Sequence, residues 1–224
     1  MKLLYYLIIL FVSSSLFAQT YDLAKPDFVL IEKNVKDINS PYYFKKLYDR
    51  YIKADTTMTI EEKRHLYFGY SFQEEYSPYE RSEANKDLNE ILRKQELTDS
   101  DYEKILIHSD EILKTYPFSI RMKEYRIFSF NELERFEEAQ KETTQATMIL
   151  DAILSTGDGT SIEKSFYVIN TMNEYELLNI LGFEFGGRQE LVENQYDYLT
   201  LNENSYNLKG LYFEVSRCLD SIKF

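Results

Sequence analysis

A helical hydrophobic period runs through most of this chain and stops at one place, Leu154-Ser-Thr-Gly-Asp-Gly-Thr-Ser-Ile-Glu163. Before that stretch apolar residues recur at i, i+3, i+4 and i+7; after it they come in short β-rich runs separated by turns. Gly157 follows the last periodic residue, where a left-handed C-terminal cap favours a residue without a side chain. Asp158-Gly159 is a turn dipeptide, and Thr160-Ser-Ile-Glu163 has capping-box spacing, so a new helical turn is expected at once. Asp158, Thr160 and Ser161 are also candidate binding residues, because such a loop offers amides and hydroxyls to an anion. The strand–loop–helix phosphate motif with its lysine is missing.

The period predicts seven helices before the break. Pro26-Asp27 opens a short one through Asp37, with Phe28, Ile31 and Val35 on one side. Ser40 as cap and Pro41 in the first turn start a second, carrying Phe44, Leu47, Tyr48, Tyr51 and Ile52 inward. Thr59-Ile-Glu-Glu62 is a capping box for a third through about Phe72, with Leu66, Tyr67 and Tyr70 inside. A polar connector, Gln73 to Asn85, leads to a fourth marked by Leu88, Ile91 and Leu92. Ser100-Asp-Tyr-Glu103 has box spacing before a fifth that Pro117 stops. A sixth spans Ser119 to Asn131, and a seventh Glu134 to Leu154 with Phe136, Ala139, Ala146, Leu150 and Ile153 inward. The spacing of these pairs approaches that of tetratricopeptide repeats, and Phe136-Glu-Glu-Ala139 resembles the opening of their second helix.

Beyond the break, Phe166 to Ile169, Tyr196 to Leu201 and Leu211 to Val215 read as strands. Thr171-Met-Asn-Glu174 reads as a further capping box before a helix that Gly182 stops. The expected class is α+β, mostly helical: stacked tetratricopeptide-like helix pairs with a small C-terminal three-stranded sheet. The helical part runs to about residue 155 and the α/β part from about 160, in one mature domain over 20–224.

The N-terminus carries a targeting signal. Lys2 precedes an apolar run from Leu3 to Phe17, and Phe17-Ala-Gln19 ends it with a small-residue cleavage pattern, so residues 1–19 read as a signal peptide cut before Thr20. An extended leader, Thr20 to Lys25, follows. The run is shorter than a membrane span, no second candidate follows, and no cysteine offers a lipid anchor, so no stable membrane anchor is expected. Export to the periplasm or the medium follows. Losing Lys2 takes the net charge from −12 to −13, which argues against a nucleic-acid binder and against docking on anionic lipid. The helical acids Glu132, Glu134, Glu137, Glu138 and Glu142 read as a solvated face.

Chemistry is hard to find in the residues. His65 and His108 lack zinc spacing and read as surface or half-buried histidines; Cys218, near the end of an apolar strand, reads as a small buried residue. No metal or cofactor is expected. Asp158 and Glu174 are the candidate catalytic residues, as a carboxylate pair for hydrolysing an envelope polymer. Among 20 tyrosines, most fall at helical spacing and read as packing, whereas Tyr76 and Tyr79 flank Pro78 in the polar connector and are candidate contact residues. The favoured reading is a non-enzymatic interaction module of the cell envelope that binds a peptide or protein.

Ser40-Pro-Tyr-Tyr43, Leu66-Tyr-Phe-Gly-Tyr70, Gly157-Asp-Gly-Thr-Ser161, Glu174-Tyr175 and Gly210-Leu-Tyr-Phe213 span nearly the whole mature chain. Together they resemble a family of exported bacterial proteins, the domain of unknown function 4919 family. That resemblance implies an exported helical protein with no assigned activity, and it supplies no catalytic residues.

Overall fold

A computed structural model describes residues 23–221. The proposed signal peptide and its cleavage point lie outside the described residues, as does the start of the leader. The part of the leader that is described is pinned: Ala24 N donates to Ser155 O at 3.0 Å, and Arg64 donates to Ala24 O at 2.6 Å.

The helices are α1 (Phe28–Lys36), α2 (Phe44–Ile52), α3 (Ile60–Gly69, continued by a 3₁₀ turn Tyr70–Phe72), α4 (Ala84–Leu92), α5 (Asp99–Thr115), α6 (Ile120–Glu132) and α7 (Phe136–Leu154). After the break come β1 (Phe166–Tyr167), α8 (Met172–Ile180), β2 (Phe185–Val192), β3 (Tyr196–Leu201), β4 (Gly210–Glu214) and α9 (Ser216–Asp220). The fold is α+β and mostly helical. Among the described residues its sheet has four strands in the order β1-β4-β3-β2, not three. β2 has no apolar alternation to reveal it: Gly186, Gly187, Arg188, Gln189 and Glu190 are all exposed.

Local signals place the helix starts, with corrections. Thr59 and Glu62 form the full reciprocal box at α3. Arg50 steadies Glu62 and donates to Asp55 at 2.7 Å. At α5 the box is Thr98 with Asp101, not Ser100 with Glu103. Lys94, at 2.5 Å from Asp101, selects the earlier frame. Ser40 caps no helix; its hydroxyl accepts from Tyr42 N in a turn, and α2 begins only at Phe44. Thr171 makes no side-chain cap. Asn170 takes over the local bonding by accepting from Met172 N at 2.9 Å.

One apolar cluster joins the two halves of the chain. It runs from Val35, Leu47, Tyr51 and Phe68 through Phe118, Ile149 and Ile153 to Ile169, Leu177, Leu199, Leu211, Phe213 and Cys218. A second cluster, with Leu88, Ile91, Ile105, Ile112 and Met122, fills the α4–α5–α6 layers. Several polar residues are drawn inside with their partners. Glu142 is not solvated but buried, held by Lys123 at 2.8 Å and Arg126 at 2.7 Å. His65 is likewise buried, stacked on Tyr42 at 4.1 Å, with Nδ1 on Glu61 O and Nε2 on Asn34. Phe136 goes the other way and is exposed. Cys218 is buried as expected but sits on α9, where burial pushes its thiol up to about 12.

A polar hub fixes α8 against the helical layer. The Tyr67 and Tyr116 hydroxyls each donate to Asn173 Oδ1 at 2.7 Å, and Asn173 Nδ2 donates to Glu176 Oε2 at 2.7 Å. Glu176 also accepts from Ser119 Oγ and from the Ile120 and Arg121 amides, placing a carboxylate on the N-terminus of α6. α8 is thereby held in position, with Glu174 on its sheet side.

Candidate functional site

The break itself is a docked loop. Asp158 N and Gly159 N both donate to Lys164 O, and Gly159 O accepts from Tyr212 N at 2.8 Å, so the loop extends the sheet along β4. Gly159 has φ +73°, whereas Gly157 does not enter the left-handed region. Gly157 is required for space instead: a methyl group there would sit 2.1 Å from Lys164 O. Thr160 does not cap the turn Ile162–Lys164. Its hydroxyl donates to Asp158 Oδ1 at 2.6 Å and its amide to the same oxygen at 3.0 Å. Partial burial opposes the charge on Asp158, but the Thr160 bonds and Lys164 at 3.5 Å hold its carboxyl below the ordinary value. Ser161 bonds Glu163 within the turn.

Asp158 and Glu174 share no partner. Glu174 is fully buried and faces Asp197 on β3, a residue that the sequence does not single out. Burial raises the pKa of Glu174 well above the ordinary value, and the charge of Asp197 and a hydrogen bond to it raise it further. Burial also raises Asp197, which accepts hydrogen bonds from Gln189 and Glu174. Among the described residues no cation contributes to either environment. Two adjacent carboxyls without a counter-ion disfavour ionising together, which is the direction of both shifts.

Gln189 on β2 covers the pair. Its Nε2 donates to Asp197 Oδ2 at 2.6 Å and lies 3.5 Å from Glu174 Oε2, while its Oε1 accepts from Tyr175 Oη at 2.5 Å. Acid–base chemistry needs a reacting group within hydrogen-bond reach. Here Glu174 is sealed, and neither of two surface clefts is lined by the pair. One cleft lies between α4 and α5 with Asp87, Lys94 and His108, and the other runs along α7 with Thr143 and Thr147. The geometry makes the pair an anchor for β2.

The tyrosines of the connector divide. Tyr76 is half-buried and donates to Ile169 O at 2.8 Å and to Arg217 O at 3.2 Å. Tyr79 is exposed, 47%, near the acid pair, where burial chiefly and the neighbouring acids raise its hydroxyl pKa.

β2 is the most open element of the sheet. It is eight residues long and is the outer strand beside β3. A bulge between Phe185 and Gln189 interrupts the register, Gly187 has φ +88°, and Thr200 Oγ1 fills the gap by bonding Arg188 N and O. From Gln189 to Val192 the pairing is regular. Leu201 N bonds Lys209 O across to β4, whereas Asn202 N bonds Glu184 O on the β2 side. Odd residues of β3 thus face β4 and even ones face β2. By the pairing of Glu190 with Tyr198 and Leu191 with Asp197, the main-chain groups of Gln189 and Leu191 point outward. No described strand pairs with that edge.

No curated protein and no solved structure matches the chain. Residues 29–223 match the model of a family described as a domain of unknown function, DUF4919, so the chain belongs to that family, as its scattered motifs imply.

Proposed function

We propose that this protein is an exported, non-enzymatic interaction module of the cell envelope that takes an extended segment of a protein partner onto β2 as a fifth strand. The outward main-chain groups of Gln189 and Leu191 on an exposed outer strand carry the reading. Main-chain bonds supply affinity in this mode, and the neighbouring side chains supply selection. The strand is held ready by Gln189, whose amide is fixed between Tyr175 and the buried acid pair, so little order has to be gained on binding.

Capture from an envelope fraction tests the reading. Leu191→Pro removes an outward N–H while leaving the bonds to β3 intact, so it should abolish capture without lowering the melting temperature by more than a few degrees. Capture of the same proteins by Leu191→Pro, or release of soluble fragments from envelope polymers by the purified chain, would overturn it.

A further inference from the structure

We infer that the strand received by β2 is β2 of a second copy, in an antiparallel two-fold pairing centred on Gln189; this rests on β2 being an acceptor edge. The side-chain order around Gln189 is self-complementary. In that register each Gln189 lies opposite the partner's Gln189, and Arg188 and Glu190 lie opposite the partner's Glu190 and Arg188. Both charges are exposed and on one face of the strand, where they already bond each other at 2.7 Å. Pairing would extend that contact into a four-membered network of alternating charge.

The backbone parity agrees with the same register. Gln189 points outward, so the central pair is a hydrogen-bonded one. Arg188 and Glu190 point toward β3, so their cross-copy pairs are the non-hydrogen-bonded kind, in which opposing side chains come closest. Isolated charges on an edge strand ordinarily deter association. Here a shift by one residue would set Glu190 against the partner's Gln189 and lose both ion pairs, so the charges select one register. By the two-fold axis the bulge at Gly186-Gly187 of each copy lies opposite Leu191-Val192 of the other, so it limits the ladder at both ends. Leu191, 48% exposed, faces the partner's Gly187, where no side chain crowds it. A short ladder of this kind buries less surface than a standard interface, so the dimer should be concentration-dependent.

Sedimentation velocity over a concentration series, on the full chain as its producing host processes it, tests the pairing. A monomer–dimer equilibrium is expected. Arg188→Glu should weaken it about tenfold, since two pairs of like charges then oppose each other. The double swap Arg188→Glu with Glu190→Arg should restore it to within about threefold, because the two-fold axis restores both ion pairs. Leu191→Pro should give monomer, and circular dichroism should show every variant folded. A dimer unaffected by Arg188→Glu and Leu191→Pro would overturn the register, and a strictly monomeric wild type would overturn self-pairing. If the monomer still captured an envelope protein in a Leu191→Pro-sensitive way, the acceptor edge would stand and only the second copy would fail.

Discussion

A side chain at position 157 has nowhere to go, because Lys164 O lies where its Cβ would be. At position 159 the same addition meets the Phe166 ring at 2.6 Å and also forces a positive φ. Gly157→Ala and Gly159→Val should each cost about 3 kcal/mol in chemical denaturation, at the upper end of overpacking costs. Thr160→Ala should cost within about 0.5 kcal/mol, since its hydroxyl makes one exposed bond and no cap. Asp158→Asn, which keeps the Oδ1 acceptor, should be equally mild. A loss above about 1 kcal/mol for Thr160→Ala would mean that the turn depends on a cap after all. The type of these residues was legible in the sequence: glycine, Asx and hydroxyl residues announce a turn. Their roles were not, because the atom that excludes a side chain at 157 belongs to Lys164, seven residues on.

At the scale of elements, competing local signals decide where α5 begins. Two capping frames lie two residues apart, and Lys94 engages Asp101 of the earlier one. Thr98→Ala should therefore lower stability by about 1 kcal/mol, and Ser100→Ala should leave it within about 0.5 kcal/mol; thermal melts of both variants check the frame. The α8–sheet contact makes a pH-dependent prediction. Glu174 and Asp197 have folded-state pKa values raised by burial, so their contribution is present at acid pH. It is lost as pH rises from the ordinary carboxylate range through the raised values. The groups beside them are Tyr79, Tyr175 and Cys218, none of them cationic. This pair should make stability fall as pH rises above the ordinary carboxylate range, and Glu174→Gln should flatten the slope by up to about 1.4 kcal/mol per pH unit, one proton's worth. Asp197, Glu176 and Glu214, raised by burial, and Glu124, pushed up to about 7 by burial and the nearby Glu176, keep a slope of the same sign, while His65, lowered chiefly by burial, contributes one of the opposite sign. An identical pH profile for Glu174→Gln would show that burial of this carboxyl does not couple folding to pH.

Over the whole molecule, the sheet shares one interior with α1, α2, α3 and α7, while α4–α6 hold a second cluster of their own. Ile149 and Ile153 of α7 share a cluster with Leu177, Leu199 and Phe213, and Asn173 joins Tyr67, Tyr116 and Glu176 across the same seam. A fragment ending at Ser155 should lose its cooperative melt at the full-length temperature; retaining it would show that the helices fold without the sheet. Asn173→Ala leaves two buried hydroxyls and a carboxylate short of a partner, and should cost about 3 kcal/mol or more by denaturant unfolding.

The sequence by itself determined the helices, the turn at 157–163, the central strands of the sheet and the class, because periodicity, caps and turn residues act over a few neighbours. Leu66, Tyr67, Tyr70 and Ile153 lie inside for the reason their spacing implies. Only tertiary structure decided the rest. β2 has no apolar alternation and is a strand because β3 offers it a ladder. Glu142 and His65 look like surface residues in a local window and are buried because Lys123 and Arg126 arrive from α6 and Tyr42 from the turn before α2. The acid pair joins positions 174 and 197, with position 189 covering it. Only an Asp inside an apolar strand hinted at this in advance. Its perturbed acidity comes from desolvation, a property of what surrounds a carboxyl in space and not of its neighbours along the chain.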